Sequence, residues 1–176
     1  MTIGRQKLAA LAFSALLTVL DQLIKGWALS VLTLKSITVI PGLFMLSYVE
    51  NRGAAFGIFQ NSTAILSAVS VGVLILLIVL MFSRWAVKPL AVWSLSLIIA
   101  GGAGNGIDRI SRGFVVDYLD FSAIWGFPVF NLADCCVVAG TALLLVFIIY
   151  VEQRDERYRK NPKNNSQDEE PLSEQE

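Results

Sequence analysis

Histidine is missing from all 176 residues of this chain. Its absence removes His-based zinc sites, Ser-His-Asp and Cys-His nucleophile systems, and the usual base near neutral pH. Charge is scarce as well: Asp, Glu, Lys and Arg make up 16% of the residues, and their formal sum is zero. A neutral chain has no general attraction for nucleic acid or for an anionic surface. Cysteine occurs twice, at Cys135 and Cys136. Helix neighbours point in different directions and form no CxxC motif, so both read as packing residues. No metal and no cofactor is expected. Any chemistry must come from carboxylates, Lys, Ser/Thr or Tyr.

What the chain does have is apolar side chain, 55% of its residues, with a mean hydropathy of +0.64. A water-facing surface cannot be covered from such a composition, so lipid is the solvent. A spanning helix needs about 20 mostly apolar residues. The sequence offers four, at about 8–29, 63–83, 89–108 and 129–151. The first is apolar from Leu8 to Leu20 and then reads DQLIKGW, with no convincing small-x-small cleavage site after it. It is therefore read as a retained helix rather than a signal peptide.

With the N-terminus inside, nine Lys/Arg fall on the cytoplasmic side and five on the other, which puts both termini in the cytoplasm. Residues 152–176 form a polar cytoplasmic tail, expected to be disordered beyond Lys160. SITVIPGLFMLSYVEN and GFVVDYLDF read as short strands that pair outside the bilayer, and RGAAFGIF as a short interfacial helix. Together, about 35–60 and 112–121 form an outer β and lid region. The expected fold is an all-α membrane protein of four transmembrane helices with a small extracytoplasmic β-cradle.

Charge is segregated along these helices. Before the tail there are six acids, Asp21, Glu50, Asp108, Asp117, Asp120 and Asp134, and all lie toward the extracytoplasmic end. Asp134 is about five residues into its span, roughly 7 Å below the entry point at 1.5 Å per residue. Such a carboxylate is costly unless it meets a partner or a wet cavity. Asn131 shares its face. Asp21 and Lys25 are four apart and can pair, which serves equally well as a plain helix anchor. Asn105, Asp108 and Arg109 make a polar face on the third helix. The run GGAGNGID suits close helix packing and lacks the Lys-Ser/Thr of a phosphate loop.

Two aspartates in one pocket cannot both ionise easily, so one takes a proton from water while the other donates to a carbonyl oxygen. Asp117 and Asp134 are separated by a loop that returns the chain to the membrane. These residues alone leave hydrolysis, proton or ion translocation, and non-catalytic packing open. The lack of acids at the cytoplasmic ends argues against a transporter.

Five blocks in order narrow the choice: DQLIK at 21–25, ENRGAAFG at 50–57, GGAGNGIDR at 101–109, VVDYLDF at 115–121 and FNLADCCV at 130–137. Through them the chain resembles the bacterial lipoprotein signal peptidases (signal peptidase II) up to the tail. The resemblance implies a four-span aspartic endopeptidase of the inner membrane. Its catalytic dyad falls on Asp117 and Asp134. Substrate-binding and supporting roles fall on Asp21, Lys25, Asn51, Arg52, Gly101, Asn105, Asp108, Arg109 and Asn131. The implied substrate is a diacylglyceryl-prolipoprotein among membrane lipids, and the implied inhibitor is globomycin. Cys135 and Gly106 depart from the family pattern without touching the dyad.

Overall fold

A backbone amide in hydrocarbon has no water to bond, so each apolar run is driven into a helix. The computed structural model describes residues 2–53, 63–84, 86, 88–124 and 126–160. Most of the segment RGAAFGIF, and the tail beyond Lys160, lie outside the described residues. The helices are α1 (Ile3–Val31), α2 (Thr63–Phe82), α3 (Pro89–Arg112) and α4 (Leu132–Lys160). All four are long and apolar enough to cross a membrane. Three strands, β1 (Ile37–Ile40), β2 (Phe44–Asn51) and β3 (Val115–Asp120), form one antiparallel sheet in the order β1-β2-β3. The chain divides into two compact units, Met1–Leu144 and Leu145–Glu176. All the geometry below belongs to the first; the second carries the rest of α4.

Helix α3 is the hub. Over its most apolar stretch 56% of the residues are buried, against 6% for α2. It meets α1 along a stripe of small and polar residues at helical spacing, Ala10, Ser14, Asp21, Lys25 and Ala28, all buried. Ser14 Oγ donates to the Ser96 carbonyl at 2.8 Å, and Thr18 Oγ1 to that of Ala100 at 3.2 Å. In lipid, where no hydrophobic force separates helix from solvent, small residues and such bonds hold helices together. Against α4 the approach is closer still. A Cβ on Gly101 would collide with the Ala133 carbonyl oxygen and with Val137.

Three boundaries differ from the hydropathy reading. Helix α1 runs from Ile3 to Val31, beyond the apolar run at both ends. Helix α3 continues to Arg112 because Arg109 and Arg112 sit in its last turn, where cations suit the helix dipole, and Gly113 takes the left-handed capping conformation at φ 79°. Helix α4 starts at Leu132, later than expected, because Phe130 bridges to Leu119 of β3. Asp134 is thus in the first turn of α4, not five residues deep.

At the end away from the sheet, Lys7 Nζ donates to the Ser83 carbonyl at 2.8 Å, just past the C-terminus of α2. At the sheet end, Val116 and Tyr118 pack with Ala28 of α1 and with Leu32, which caps that helix. Strand alternation then turns Asp117 to the opposite face. The register pairs Val49 with Asp117, which makes Asn51 its diagonal neighbour on that face.

Replacing Gly101 with Ala should lower the thermal midpoint in detergent micelles, at a cost of about 1–3 kcal/mol from overpacking. A midpoint equal to that of the parent would refute the close α3–α4 contact.

Candidate active site

Asp117 and Asp134 meet through asparagine side chains. Asn131 Nδ2 donates to Asp117 Oδ1 at 2.6 Å, and Asn51 Nδ2 to Asp117 Oδ2 at 3.0 Å. Asn105 Nδ2 donates to Asp134 Oδ1 at 2.7 Å. The amides are chained as well, since Asn131 Nδ2 also reaches Asn105 Oδ1 at 3.2 Å.

Asn131 does a second job as the N-cap of α4. Its Oδ1 accepts the Asp134 N–H at 2.9 Å, while Asp134 Oδ2 accepts the Asn131 N–H at 3.2 Å. This reciprocal capping box satisfies two helix-end donors and fixes the Asp134 carboxylate at the positive end of the helix dipole.

Behind the pair lies a buried ion cluster. Lys25 is fully buried, with its Nζ 2.9 Å from Asp21 Oδ2, 3.0 Å from Asp108 Oδ2 and 2.8 Å from Asn105 Oδ1. Each acid uses its carboxylate to grip backbone too. Asp21 Oδ1 accepts the N–H of Ala133 at 3.1 Å, and Asp108 Oδ2 that of Val116 at 3.1 Å. Those residues immediately precede Asp134 and Asp117. Gly104 makes the first grip possible: a Cβ there would come within 2.5 Å of Asp21 Oδ2. Among the described residues, no buried side-chain nitrogen or oxygen is left without a partner.

Sequence reasoning missed Gln22 and Arg112. Gln22 Nε2 donates to Asp108 Oδ1 and to the Gly104 carbonyl, both at 3.1 Å, and Arg112 pairs with Asp108. The Asp108–Arg112 spacing of four was visible, but ending the span at 108 put Arg112 outside it. Gln22 gave no such signal, because a helical neighbour of Asp21 is expected to point elsewhere.

Of the eleven expected site residues, two lie apart from this network. Arg52 pairs with Glu50 at 2.6 Å on the exposed face of β2, and its guanidinium lies 5.4 Å from the Phe114 ring centre. Gly101 serves the α3–α4 contact described above and makes none of these hydrogen bonds, although it lines the cleft that Asp134 faces. Arg109 lines a cleft of about 310 Å³ between α2, α3 and the start of α4, together with Asn105 and Asp134. The rest of that cleft is largely apolar, including Val73, Leu77, Ile98 and Val137. Asp134 is half-buried and faces it, whereas Asp117 is 2% exposed and does not line it. Burial first, and the nearby Asp134 carboxylate second, push the Asp117 pKa up to about 6. Among the described residues no group of three or more Cys, Asp or Glu has the arrangement of a metal site.

Four membrane-crossing helices with a carboxylate pair held by amides at one end define the class: a polytopic membrane protein built around two aspartates. Comparison with known proteins gives the family. The model of Peptidase_A8, signal peptidase (SPase) II, matches residues 13–150. The chain is 45% identical over 137 residues to the lipoprotein signal peptidase of Clostridium acetobutylicum, covering 76% of this chain and 89% of that one. Against the lipoprotein signal peptidase of Clostridioides difficile it is 43% identical over 145 residues, covering 79% and 93%. A solved bacterial membrane enzyme superposes with a TM-score of 0.72 at 26% identity, covering 96% of this chain and 94% of that one. The chain belongs to the signal peptidase II family, and is therefore an aspartic peptidase of the membrane.

The raised pKa of Asp117 carries a sign. Between about 3.8 and 6 the folded chain keeps a proton there that the unfolded chain has released. Stability from this group is therefore lost as pH rises through that window, on the order of 3 kcal/mol in all. Asp117→Asn should flatten this fall in thermal unfolding scans between pH 4 and 7. An unchanged pH slope would contradict the assignment.

Proposed function

We propose that this peptidase removes the signal peptide from diacylglyceryl-modified prolipoproteins, cutting just before the lipidated cysteine, with Asp117 and Asp134 as its catalytic pair. The observation that supports this reading best is Asn131, which binds Asp117 through its side chain and Asp134 through its backbone and cap. One residue thereby ties two carboxylates from separate elements into one site.

The chemistry follows from their unequal surroundings. Burial, and then the neighbouring Asp134 carboxylate, raise the proton affinity of Asp117, which suits it to deliver a proton. Asp134, facing the cleft, takes a proton from water. The resulting hydroxide oxygen attacks the scissile carbonyl carbon while Asp117 gives its proton to the carbonyl oxygen. Asp134 then passes the proton it took from water to the amide nitrogen while Asp117 takes one back from a diol hydroxyl, so the C–N bond breaks to give an acid and an amine. Both groups act as general acid and base, with no covalent intermediate.

The cleft suits such a substrate. Its apolar walls match a signal helix and acyl chains, and its polar end, with Asn105, Arg109 and Asp134, meets the scissile peptide. In our reading residues 1–151 are the peptidase and 152–176 a cytoplasmic tail. The nine-to-five bias of Lys and Arg supports termini in the cytoplasm and a site near the extracytoplasmic face. Substrate acyl chains in the outer leaflet would meet it there. The remaining assigned residues, Asp21, Lys25, Asn51, Asn105, Asp108 and Asn131, support the pair. Globomycin, the inhibitor implied by the family resemblance, is expected to block turnover.

Purified Asp117→Asn and Asp134→Asn should each lose about 10²–10⁴ of the cleavage rate on a diacylated prolipoprotein peptide. Either variant cutting at the parent rate would remove its aspartate from the dyad.

A further inference from the structure

Asp108 never faces the cleft, yet all its hydrogen-bonding capacity is used. Its Oδ2 accepts Lys25 Nζ at 3.0 Å and the Val116 N–H at 3.1 Å. Its Oδ1 accepts Gln22 Nε2 at 3.1 Å and is ion-paired to Arg112 Nη1. Arg112 Nη1 in turn donates to Gln22 Oε1 at 3.1 Å. Gln22 belongs to α1 and Arg112 to the last turn of α3, so the three side chains close a ring across that helix pair.

We propose that Gln22 and Arg112 are positioning residues for the peptidase reaction, holding the Asp108 carboxylate so that its grip on Val116 sets where Asp117 stands relative to Asp134. The inference rests on the reading of those two aspartates as the catalytic pair.

Three considerations carry it. The first is geometric. A carboxylate held through Oδ2 alone still turns about its Cβ–Cγ bond, and the Val116 N–H follows it. Two donors on Oδ1, from two different helices, remove that freedom. The second is connectivity. Val116 is the residue before Asp117, so a displacement at Asp108 reaches the reacting carboxylate across one peptide unit. A misplacement of about 1 Å at a reacting group can cost on the order of 10²-fold in rate. The third is charge. Asp21 and Asp108 bring two negative charges, and Lys25 and Arg112 two positive ones. Removing Arg112 leaves an uncompensated carboxylate behind the pair.

Arg112 is also the member that can be changed without unfolding the protein. Its side chain is 25% exposed, whereas those of Lys25 and Asp108 are fully buried. A shorter polar group at 112 can be hydrated. Neither Gln22 nor Arg112 is among the residues lining the cleft, so substrate affinity should not depend on them.

The test uses the full-length enzyme in detergent micelles and a diacylated prolipoprotein peptide, with kcat, KM and the thermal midpoint measured separately. Arg112→Gln should lower kcat by about tenfold and leave KM within about twofold, the signature of an interaction expressed in the transition state. Arg112→Lys, which keeps the ion pair with Asp108, should recover most of the loss. Gln22→Leu, which cuts the link without changing charge, should show the same split as Arg112→Gln. Parent-like kcat in Arg112→Gln overturns the proposal. So does a loss that Arg112→Lys fails to recover and that parallels a fall in folded protein, because that is a structural role only. Asp117→Asn measured alongside separates the two readings. If it is inactive while Arg112→Gln is normal, positioning fails and the dyad stands; if Asp117→Asn turns over normally, the dyad itself fails.

Discussion

Lys25 is a cation with no access to water, enclosed between Asp21 and Asp108. An isolated charge inside a membrane costs at least a few kcal/mol, so the ammonium is tolerable only if acids from two helices converge on it. That convergence has consequences beyond neutrality. Asp21 and Asp108 each spend their remaining capacity on a backbone N–H, of Ala133 and Val116 respectively. Those peptides lead directly into Asp134 and Asp117. The requirement to neutralise one buried lysine thereby fixes the start of α4 and the course of β3 against α1 and α3.

The two aspartates differ in kind because of where this frame puts them. Asp117 lies on a strand whose other face is packed on α1, so it is sealed from solvent and held by two amides. Asp134 lies in a capping box at a helix N-terminus, where the dipole favours a negative charge, and it borders the cleft. Both are supported by N–H donors alone, which suits carboxylate oxygens. Burial nevertheless dominates at Asp117 and keeps its proton affinity high. A pair of acids with unequal environments is the arrangement that acid–base hydrolysis requires. It is reached here without histidine, from four helices and a three-stranded sheet.

Much of this was readable in the sequence, because lipid makes hydropathy an almost sufficient code for the helices. The Pro-Gly between two β-branched runs gave β1 and β2, and VVDYLDF gave β3, as found. Proximity came out as spacing predicts for Asp21 with Lys25 and for Asn131 with Asp134. Arg52 joins the expected set only through the family resemblance carried by ENRGAAFG. Just past the end of β2 it turns outward, to Glu50 on the exposed face. The depth of Asp134 was misjudged because apolar Val129 and Phe130 look like helix to a hydropathy count, while Phe130 is in fact bridged to β3. The ring of Gln22, Arg112 and Asp108 stayed hidden because it depends on contacts between helices some 90 residues apart in sequence, beyond what periodicity can register.

If the buried cation organises both carboxylates, removing its charge at constant side-chain volume is the most direct challenge. Lys25→Met can be assayed for prolipoprotein cleavage after confirming membrane insertion and helix content. An inserted, helical protein is expected whose cleavage rate has fallen by about 10² or more, since Asp21 and Asp108 lose their common partner and release Ala133 and Val116. Cleavage at close to the parent rate would contradict it.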